Sequence, residues 1–345
     1  MARRGIFGIG LALLSLTTLA TASDENVVHV FVLAGQSNME GKAKLSLLEH
    51  QIRSEATKAR FAHLHEDGEW VERDDVFISF LDRRGKLKVG FGSPNCIGPE
   101  LEFGSVVGDH YDEPVLIIKT AWGGKSLGRD FRPPSAGLPD KEALAAILAK
   151  TNEENAKRQR PLVRLEDVQE SYGHFYRLMI ENIRTNLAEL DQRFPELKGR
   201  QPVIEGFVWF QGWNDMSDED FVSGYESHLA ALIHDVRKDL GAPDLPVVIG
   251  QMGQNGFEPA EGAMAKIKAA QAAVAEHEDL KGTVRSVATD VYWDPAAAAL
   301  IDGWRNHVDE WNKVGSDFPY HYLGSAITFS EIGRAFGKAM LELKQ

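Results

Sequence analysis

The fold is decided by the stretch VVHVFVLA at residues 27–34, which runs directly into the turn GQSNM at residues 35–39. Near-continuous apolar runs rich in valine and isoleucine are typical of strands that are buried on both faces of a parallel sheet. The sequence therefore predicts about five such strands. The four further runs are PVLIIKT at 114–120, VIEGFVWF at 203–210, PVVIGQ at 246–251 and the weaker VRSVAT at 284–289.

Segments with the composition of helices lie between these runs. Pro99 suits the first position of a helix, and the acids that open residues 218–240 suit the positive N-terminal end of another. Strands that alternate with helices predict an α/β fold, a parallel sheet covered on both faces. We expect one domain with insertions. The predicted helices cover residues 99–110, 166–193, 218–240, 261–277 and 325–343.

Two segments interrupt this alternation. Residues 70–89 predict a β-hairpin that turns around Arg83-Arg84-Gly85-Lys86 and is inserted in the first crossover. Residues 130–161 are rich in proline and then in charge, and we predict that they are irregular.

The N-terminal residues have the organisation of a secretory signal peptide. Arg3 and Arg4 precede an apolar run at residues 6–19, and the small residues Ala20-Thr21-Ala22 follow. This order predicts cleavage after Ala22, a mature domain of residues 23–345, and a secreted or periplasmic location. The alternative is a membrane anchor, but the apolar run falls short of the ~20 residues needed to span a bilayer.

The composition of the chain argues against several classes of binding partner. The chain has 345 residues and a formal net charge of −13, which argues against nucleic acid or a stable contact with an anionic membrane. Cys96 is the only cysteine, so no intramolecular disulfide can form. No Cys/His spacing resembles a zinc site, and we predict no metal and no cofactor. Oligomeric state is left open.

Polar and glycine residues follow four of the predicted strands. Because ligands bind beyond the carboxyl ends of the strands in an open parallel sheet, we expect these turns to form one site. The turns are GQSNM at 35–39, AWGGKS at 121–126, QGWND at 211–215 and QMGQNG at 251–256.

Chemical roles follow from the residue types in these turns. Ser37 lies at a strand-to-helix turn, where free N–H groups and the helix dipole would stabilise an oxyanion next to its hydroxyl. The N–H of Gly124 and the side-chain amide of Asn214 could donate to the same oxygen. A serine needs a base, and His321 in the loop SDFPYHYLG at 316–324 is the best candidate. Asp317, four residues earlier, could hold the imidazole tautomer.

Here the sequence resembles a known family. GQSNM, GGKS, GWND and the late Asp/His loop resemble the four blocks of the SGNH hydrolases, and LAGQSNMEG and WFQGWND resemble the sialate O-acetylesterase domain of carbohydrate acetylesterases. The resemblance runs over residues 27–339. It implies a flavodoxin-like, three-layer domain that removes acetyl groups from carbohydrate through an acyl-enzyme on Ser37. The matching residues are Ser37, Gly124 rather than Gly123, Asn214 and His321.

The chain departs from the family pattern at two places. The superfamily has its aspartate three residues before the histidine, whereas here position 318 is Phe and the acid is Asp317. Many sialate O-acetylesterase-like members have Gly-Glu-Ser after the glutamine of the third block, and this chain has Gly-Trp-Asn at 212–214.

Two sets of residues are predicted to bind the substrate. The glutamines could bind sugar hydroxyls, and the tryptophans could stack on a sugar ring and leave a shallow acyl pocket. The alternatives are another short-chain ester, lipid or thioester hydrolase on the same fold, and a carbohydrate-binding module without catalysis. The sequence does not say which sugar carries the acetyl group. The predicted substrate-binding residues are Gln36, Gln211, Gln251, Trp122 and Trp213.

Overall fold

A computed structural model describes residues 26–345, so the predicted signal peptide lies outside the described residues. The centre is a seven-stranded sheet. Its strands are β1 Val27–Gly35, β2 Val76–Phe80, β3 Arg83–Lys86, β4 Val115–Ala121, β5 Gln201–Phe210, β6 Val247–Gly250 and β7 Val284–Val287. Their order is β7-β6-β5-β1-β4-β2-β3, parallel throughout except for the antiparallel edge strand β3. All five predicted strands form in this sheet, and the α/β fold is confirmed.

The first strand is central because both of its faces are apolar. β1 pairs with β4 from His29 to Gly35 and with β5 along its whole length. Val30 and Val32 point into one core cluster, and Phe31 and Leu33 point into the other, all with no exposed surface. This alternation places a layer of helices on each side of the sheet.

The helices form the two outer layers. The longer helices are α1 Leu45–Gln51, α2 Glu100–Gly108, α3 Lys141–Lys157, α4 Leu165–Ser171, α5 His174–Ala188, α6 Glu219–Leu240, α7 Gly262–Ala273, α8 Pro295–Ile301 and α9 Ala326–Glu342; the shorter ones are Ser37–Glu40, Lys58–Phe61, Leu190–Arg193 and Val308–Trp311. Helices α5, α6 and α7 pack on one face of the sheet, and α2 and α9 pack on the other.

Short elements complete the chain. Two two-stranded ribbons pair Ala43–Lys44 with Cys96–Ile97 and His65–Glu66 with Glu69–Trp70. The 3₁₀ turns are Ala62–Leu64, Pro134–Ala136, Pro195–Leu197, Trp213–Ser217, Val274–Glu276, Asp290–Tyr292, Trp304–Asn306 and Pro319–Gly324.

The predicted hairpin forms, but the predicted position of its turn is wrong. Residues 83–86 do not turn; they form β3, and the chain reverses at residues 81–82, where Leu81 has φ 54°. The hairpin also joins the main sheet, because β2 pairs in parallel with β4. This adds two strands to the expected five.

Two helix predictions also need correction. Residues 130–161 are not irregular throughout, since they contain α3, whose first turn is capped by Asp140 accepting from the Ala143 N–H at 2.8 Å. Its apolar face of Leu144, Ile147 and Leu148 packs against Val168 of α4 in a small cluster apart from the main core. The proline and charge content of the rest of the segment concealed this short face. The predicted helix 166–193 is broken at Gly173, which has φ 68° and lies so close to Arg132 that a Cβ would be 2.6 Å from its carbonyl oxygen.

Within residues 26–345 no helix is both long enough and apolar enough to cross a membrane.

Candidate active site

The turn after β1 places Ser37 at the carboxyl edge of the sheet. Gly35 packs so tightly against β5 that any Cβ there would overlap the carbonyl oxygen of Phe210. The Gln36 N–H then donates to that carbonyl at 3.2 Å. Ser37 opens the helix Ser37–Glu40, whose first N–H groups have no acceptor within the helix, and the side chain is 8 % exposed. A nearly buried hydroxyl therefore lies beside free backbone donors.

His321 and Asp317 lie next to this hydroxyl. Nε2 of His321 is 3.0 Å from Oγ of Ser37, and Nδ1 of the same ring is 3.0 Å from Oδ2 of Asp317. The other carboxylate oxygen of Asp317 accepts from the Phe318 N–H at 2.7 Å. The three predicted side chains form one continuous hydrogen-bonded chain, although 284 residues separate the serine from the histidine.

The charge of Asp317 fits this arrangement. Burial of the carboxyl acts to raise its pKa, but the hydrogen bonds from the His321 ring and the Phe318 N–H outweigh burial and hold the pKa below its ordinary value. Asp317 is therefore an anion at neutral pH. An anion at this place selects the tautomer with a proton on Nδ1, which leaves Nε2 free to accept the proton of Ser37.

The loop that carries His321 is held in an uncommon conformation. Tyr322 and Leu323 both have positive φ, 50° and 60°, in the region that residues with a Cβ rarely adopt. The fully buried hydroxyl of Tyr322 accepts from the Gly253 N–H at 2.9 Å and lies 2.6 Å from Oγ1 of Thr289. These bonds fix the turn immediately after the histidine and so orient the ring.

A second contact joins the histidine loop to the serine turn. The Asn38 side-chain amide donates to the carbonyl oxygen of Tyr320 at 3.1 Å. Since Asn38 follows Ser37 and Tyr320 precedes His321, this bond helps to fix the distance between Ser37 and His321.

Gly124 and Asn214 lie near each other across the site. Gly124 has φ 72°, and a Cβ built on it would be 4.0 Å from Nδ2 of Asn214. A Cβ built on the preceding Gly123 would lie 3.6 Å from Cβ of Ser37, so this turn borders the serine. The structure thus brings together the three groups predicted to form an oxyanion hole, and their role stays a prediction.

Glu40 decides between the two glycines. Its carboxylate accepts the Gly123 N–H at 2.6 Å, so that N–H is not available to a substrate, which favours Gly124. Lys42 and Ser93 also donate to this carboxylate, at 2.7 and 3.0 Å. Burial acts to raise the Glu40 pKa, but these bonds outweigh it and lower the pKa. Sequence reasoning missed this residue, although it lies within the quoted motif LAGQSNMEG.

Asp215 was also missed, and it connects the two turns that carry the oxyanion candidates. It is fully buried and accepts from the N–H groups of Leu127 and Gly128 at 2.8 and 2.7 Å and from the Gln211 amide at 2.6 Å. Burial raises its pKa to about 6 despite these three bonds. Its place directly after Asn214 in the block QGWND was the available signal.

The predicted sugar-binding glutamines contact protein groups. The Gln36 amide oxygen accepts from the Gly212 N–H at 3.4 Å, Gln211 donates to the Lys125 carbonyl at 2.9 Å, and Gln251 donates to Ser286 at 2.9 Å. These bonds connect neighbouring loops and strands of the site edge. The arrangement favours a positioning role, and direct binding of sugar hydroxyls stays a prediction.

The two tryptophans differ in their surroundings. Trp122 packs against Phe131 and Phe175, with ring centroids 6.0 and 5.3 Å away, at the edge of one core cluster. Trp213 lies 5.9 Å from the ring of Tyr320, beside the histidine loop. Trp213 is therefore the tryptophan nearer the candidate base, because its neighbour Tyr320 directly precedes His321.

Across the part of the chain that the structure describes, no group of three or more His, Cys, Asp and Glu side chains is arranged to hold a metal ion. Metal independence remains a prediction.

Comparison with known proteins identifies the class. Residues 27–291 match the family model described as carbohydrate esterase, sialic acid-specific acetylesterase. The chain belongs to this family, and it is a hydrolase of ester bonds whose substrate class is acetylated carbohydrate. No curated protein matches the chain.

Solved structures share the architecture at low sequence identity. A protein from Arabidopsis thaliana is 15 % identical, with a TM-score of 0.51 over 91 % of this chain and 98 % of that one. A carbohydrate acetylesterase from Xanthomonas citri is 14 % identical, with a TM-score of 0.48 over 90 % of this chain and 55 % of that one. NanS is 15 % identical, with a TM-score of 0.40 over 77 % and 78 %. At such identities the Arabidopsis structure supports the fold alone.

Proposed function

We propose that this protein is a secreted serine esterase that hydrolyses O-acetyl esters on carbohydrate through an acetyl-enzyme on Ser37. His321 is the general base and acid, and Asp317 orients it. The N–H groups of Ser37 and Gly124 and the amide of Asn214 stabilise the oxyanion.

The first half of the reaction acetylates the enzyme. Oγ of Ser37 attacks the acetyl carbonyl carbon while Nε2 of His321 takes the hydroxyl proton. The carbonyl oxygen becomes an oxyanion facing Gly124 and Asn214, and each such donor contributes ~2.7–4 kcal/mol in acyl-transfer enzymes. The intermediate then collapses, the bond to the sugar oxygen breaks, and that oxygen leaves as a hydroxyl with the proton from His321.

The second half releases acetate. A water molecule attacks the acetyl group on Ser37 while Nε2 of His321 takes one of its protons. The same oxyanion forms and collapses, and Oγ of Ser37 recovers its proton from His321. Asp317 stays ionised throughout and stabilises the imidazolium that forms in both halves.

The observation that carries the proposal is the hydrogen-bonded chain from Ser37 through His321 to Asp317, with both bonds at 3.0 Å. A structural serine at a turn needs only a backbone partner to cap its helix. A serine that instead faces the nitrogen of an imidazole held by a carboxylate is arranged to lose its proton. This arrangement supports a catalytic site over a carbohydrate-binding module.

The test uses two serine variants that make the same chemical change. Ser37→Ala removes the proposed nucleophile, and Ser223→Ala removes an exposed hydroxyl that bonds only its own helix, to the Asp220 carbonyl. We expect Ser37→Ala to lose orders of magnitude in kcat on p-nitrophenyl acetate and on acetylated sugars, with Tm within a few degrees of wild type. Ser223→Ala should match wild type. Activity retained by Ser37→Ala in a clean preparation contradicts the proposal.

A series of p-nitrophenyl esters from acetate to octanoate tests the acyl specificity. We expect kcat/KM to fall as the chain lengthens. A higher kcat/KM for octanoate would favour a lipid esterase on the same fold.

A further inference from the structure

Two aromatic side chains of the histidine loop are exposed without contributing to the core. Phe318 is 44 % exposed and Tyr320 is 38 % exposed, and their rings are stacked at 15° with centroids 5.5 Å apart. Both residues lie between Asp317 and His321, the acid and base of the proposed site. Large apolar rings left in solvent so close to a site commonly mark a binding surface.

The rings continue from the reacting groups outward. Tyr320 contacts the His321 ring edge-on at 4.5 Å and Trp213 at 5.9 Å. Phe318 stacks against Tyr320 at 5.5 Å. We name Trp213, Tyr320 and Phe318 the aromatic platform. Trp213 lies beside the oxyanion candidate Asn214, so the platform runs from one wall of the site, past the base, to the exposed Phe318.

Hydrogen bonds hold the backbone of the loop that carries Phe318 and Tyr320. The Phe318 carbonyl accepts from the N–H groups of His321 and Leu323 at 2.9 and 3.1 Å. The Phe318 N–H donates to Asp317, and the Tyr320 carbonyl accepts from Asn38. A loop whose backbone is already ordered loses little backbone entropy when a ligand binds to its side chains, so each contact contributes more to affinity.

We propose that the aromatic platform is a subsite for a second pyranose ring, so that the enzyme acts on acetylated oligosaccharides in preference to monosaccharides. This inference rests on the proposed function. The sugar that bears the acetyl group lies against Tyr320, next to His321, and the neighbouring sugar lies over Phe318. The C–H face of a pyranose packs on an aromatic face, whereas a fatty acyl chain needs an enclosed channel that rings this exposed do not form.

The decisive variant is Phe318→Ala, because Phe318 is the ring farther from the base. Matched substrates are chemically acetylated xylobiose, cellobiose and chitobiose and the corresponding acetylated monosaccharides, with p-nitrophenyl acetate as an ester without sugar. We expect wild type to prefer at least one disaccharide over its monosaccharide. In Phe318→Ala the kcat/KM for that disaccharide should fall about tenfold relative to p-nitrophenyl acetate, mainly through KM. Phe318→Trp should restore it.

Phe257→Ala is the control, since Phe257 is 64 % exposed on the loop after β6 and is not part of the platform. This variant should leave kcat/KM for the disaccharide unchanged, both relative to the monosaccharide and relative to p-nitrophenyl acetate. Two results overturn the platform while leaving the proposed esterase function intact. One is equal kcat/KM of wild type for the acetylated monosaccharides and disaccharides. The other is an unchanged kcat/KM of Phe318→Ala for the disaccharide relative to p-nitrophenyl acetate. A loss confined to octanoate esters assigns the rings to the acyl chain and also overturns it. No acetate released from any sugar, with p-nitrophenyl acetate still hydrolysed, overturns the proposed function and the platform together.

Discussion

Replacing Asp215 with asparagine tests whether the buried carboxylate holds the two oxyanion turns together. Its oxygens accept three donors, the N–H groups of Leu127 and Gly128 and the amide of Gln211. Asparagine keeps the shape but accepts through one oxygen only and turns an NH₂ group toward a donor. One buried donor then lacks an acceptor, which costs about 1–3 kcal/mol of unfolding free energy.

The pKa of Asp215 gives this variant a distinctive pH dependence. The pKa is raised from 3.8 to about 6 in the folded protein, so folding favours the protonated carboxyl. The corresponding stability is fully present below about pH 3.8 and is lost as the pH rises through about 6. Between pH 5 and pH 8 the loss is about 1 kcal/mol. Asp215→Asn lacks this titration, so the stability of wild type relative to the variant should be greater at pH 5 than at pH 8 by that amount.

Chemical denaturation at the two pH values measures this difference, and steady-state kinetics on p-nitrophenyl acetate measures the effect on catalysis. Because Gly124 and Asn214 lie on the turns that Asp215 connects, we expect kcat to fall about tenfold to a hundredfold. Asp235→Asn is the control; this buried acid accepts the Ser135 N–H at 2.8 Å and lies on α6. It should change stability but not kcat. An Asp215→Asn enzyme with wild-type kcat and no difference in pH dependence would show that Asp215 does not hold the two turns in place.

Three other predictions concern the groups around the serine. His321→Ala should be nearly inactive on p-nitrophenyl acetate, and Asp317→Ala should be weakened by a smaller factor because it orients the base; a wild-type rate in Asp317→Ala would show that another group holds the imidazole. Gly124→Ala should lower kcat, since alanine is strained at φ 72°. Asn214→Ala should lower kcat by about 10²–10³ at unchanged Tm if the Asn214 amide binds the oxyanion. Tyr322→Phe should lower kcat more than it changes KM, because the loop after the base loses the bonds to the buried hydroxyl; equal kcat in the variant would remove this positioning role.

Five strands of the sheet could be predicted because their apolar runs are continuous. The place of β2 in the sheet could not be predicted. Residues 76–80, VFISF, are all buried, yet within a predicted hairpin they gave no sign that β2 would pair with β4. Partner choice in a sheet depends on contacts distant in sequence, which a local pattern does not contain. Helix α3 was missed for a different reason. Its apolar face of Leu144, Ile147 and Leu148 is short and packs in a small separate cluster, while the C-terminal half of the helix is polar and charged.

The residues of the candidate site could be proposed from the sequence, whereas their arrangement in space could be proposed only in part. Ser37, Gly124, Asn214 and His321 were singled out because each follows a strand or lies in the late loop, and the structure brings them close together. The four-residue spacing from Asp317 to His321 departs from the family pattern, yet the 3.0 Å bond forms because the chain turns tightly between them. The aromatic rings of the same loop were missed, since no periodicity marks a side chain that points to solvent.

The most direct test of nucleophilic catalysis by Ser37 is to trap the acetyl group on the enzyme. Wild-type protein mixed with p-nitrophenyl acetate is quenched in acid during the first turnovers, and the peptide that carries Ser37 is analysed by mass spectrometry. We expect one acetyl group on Ser37, formed at least as fast as kcat and absent from Ser37→Ala. Acetate release without any acetylated Ser37, or an acetyl group on another residue that accounts for turnover, would contradict it.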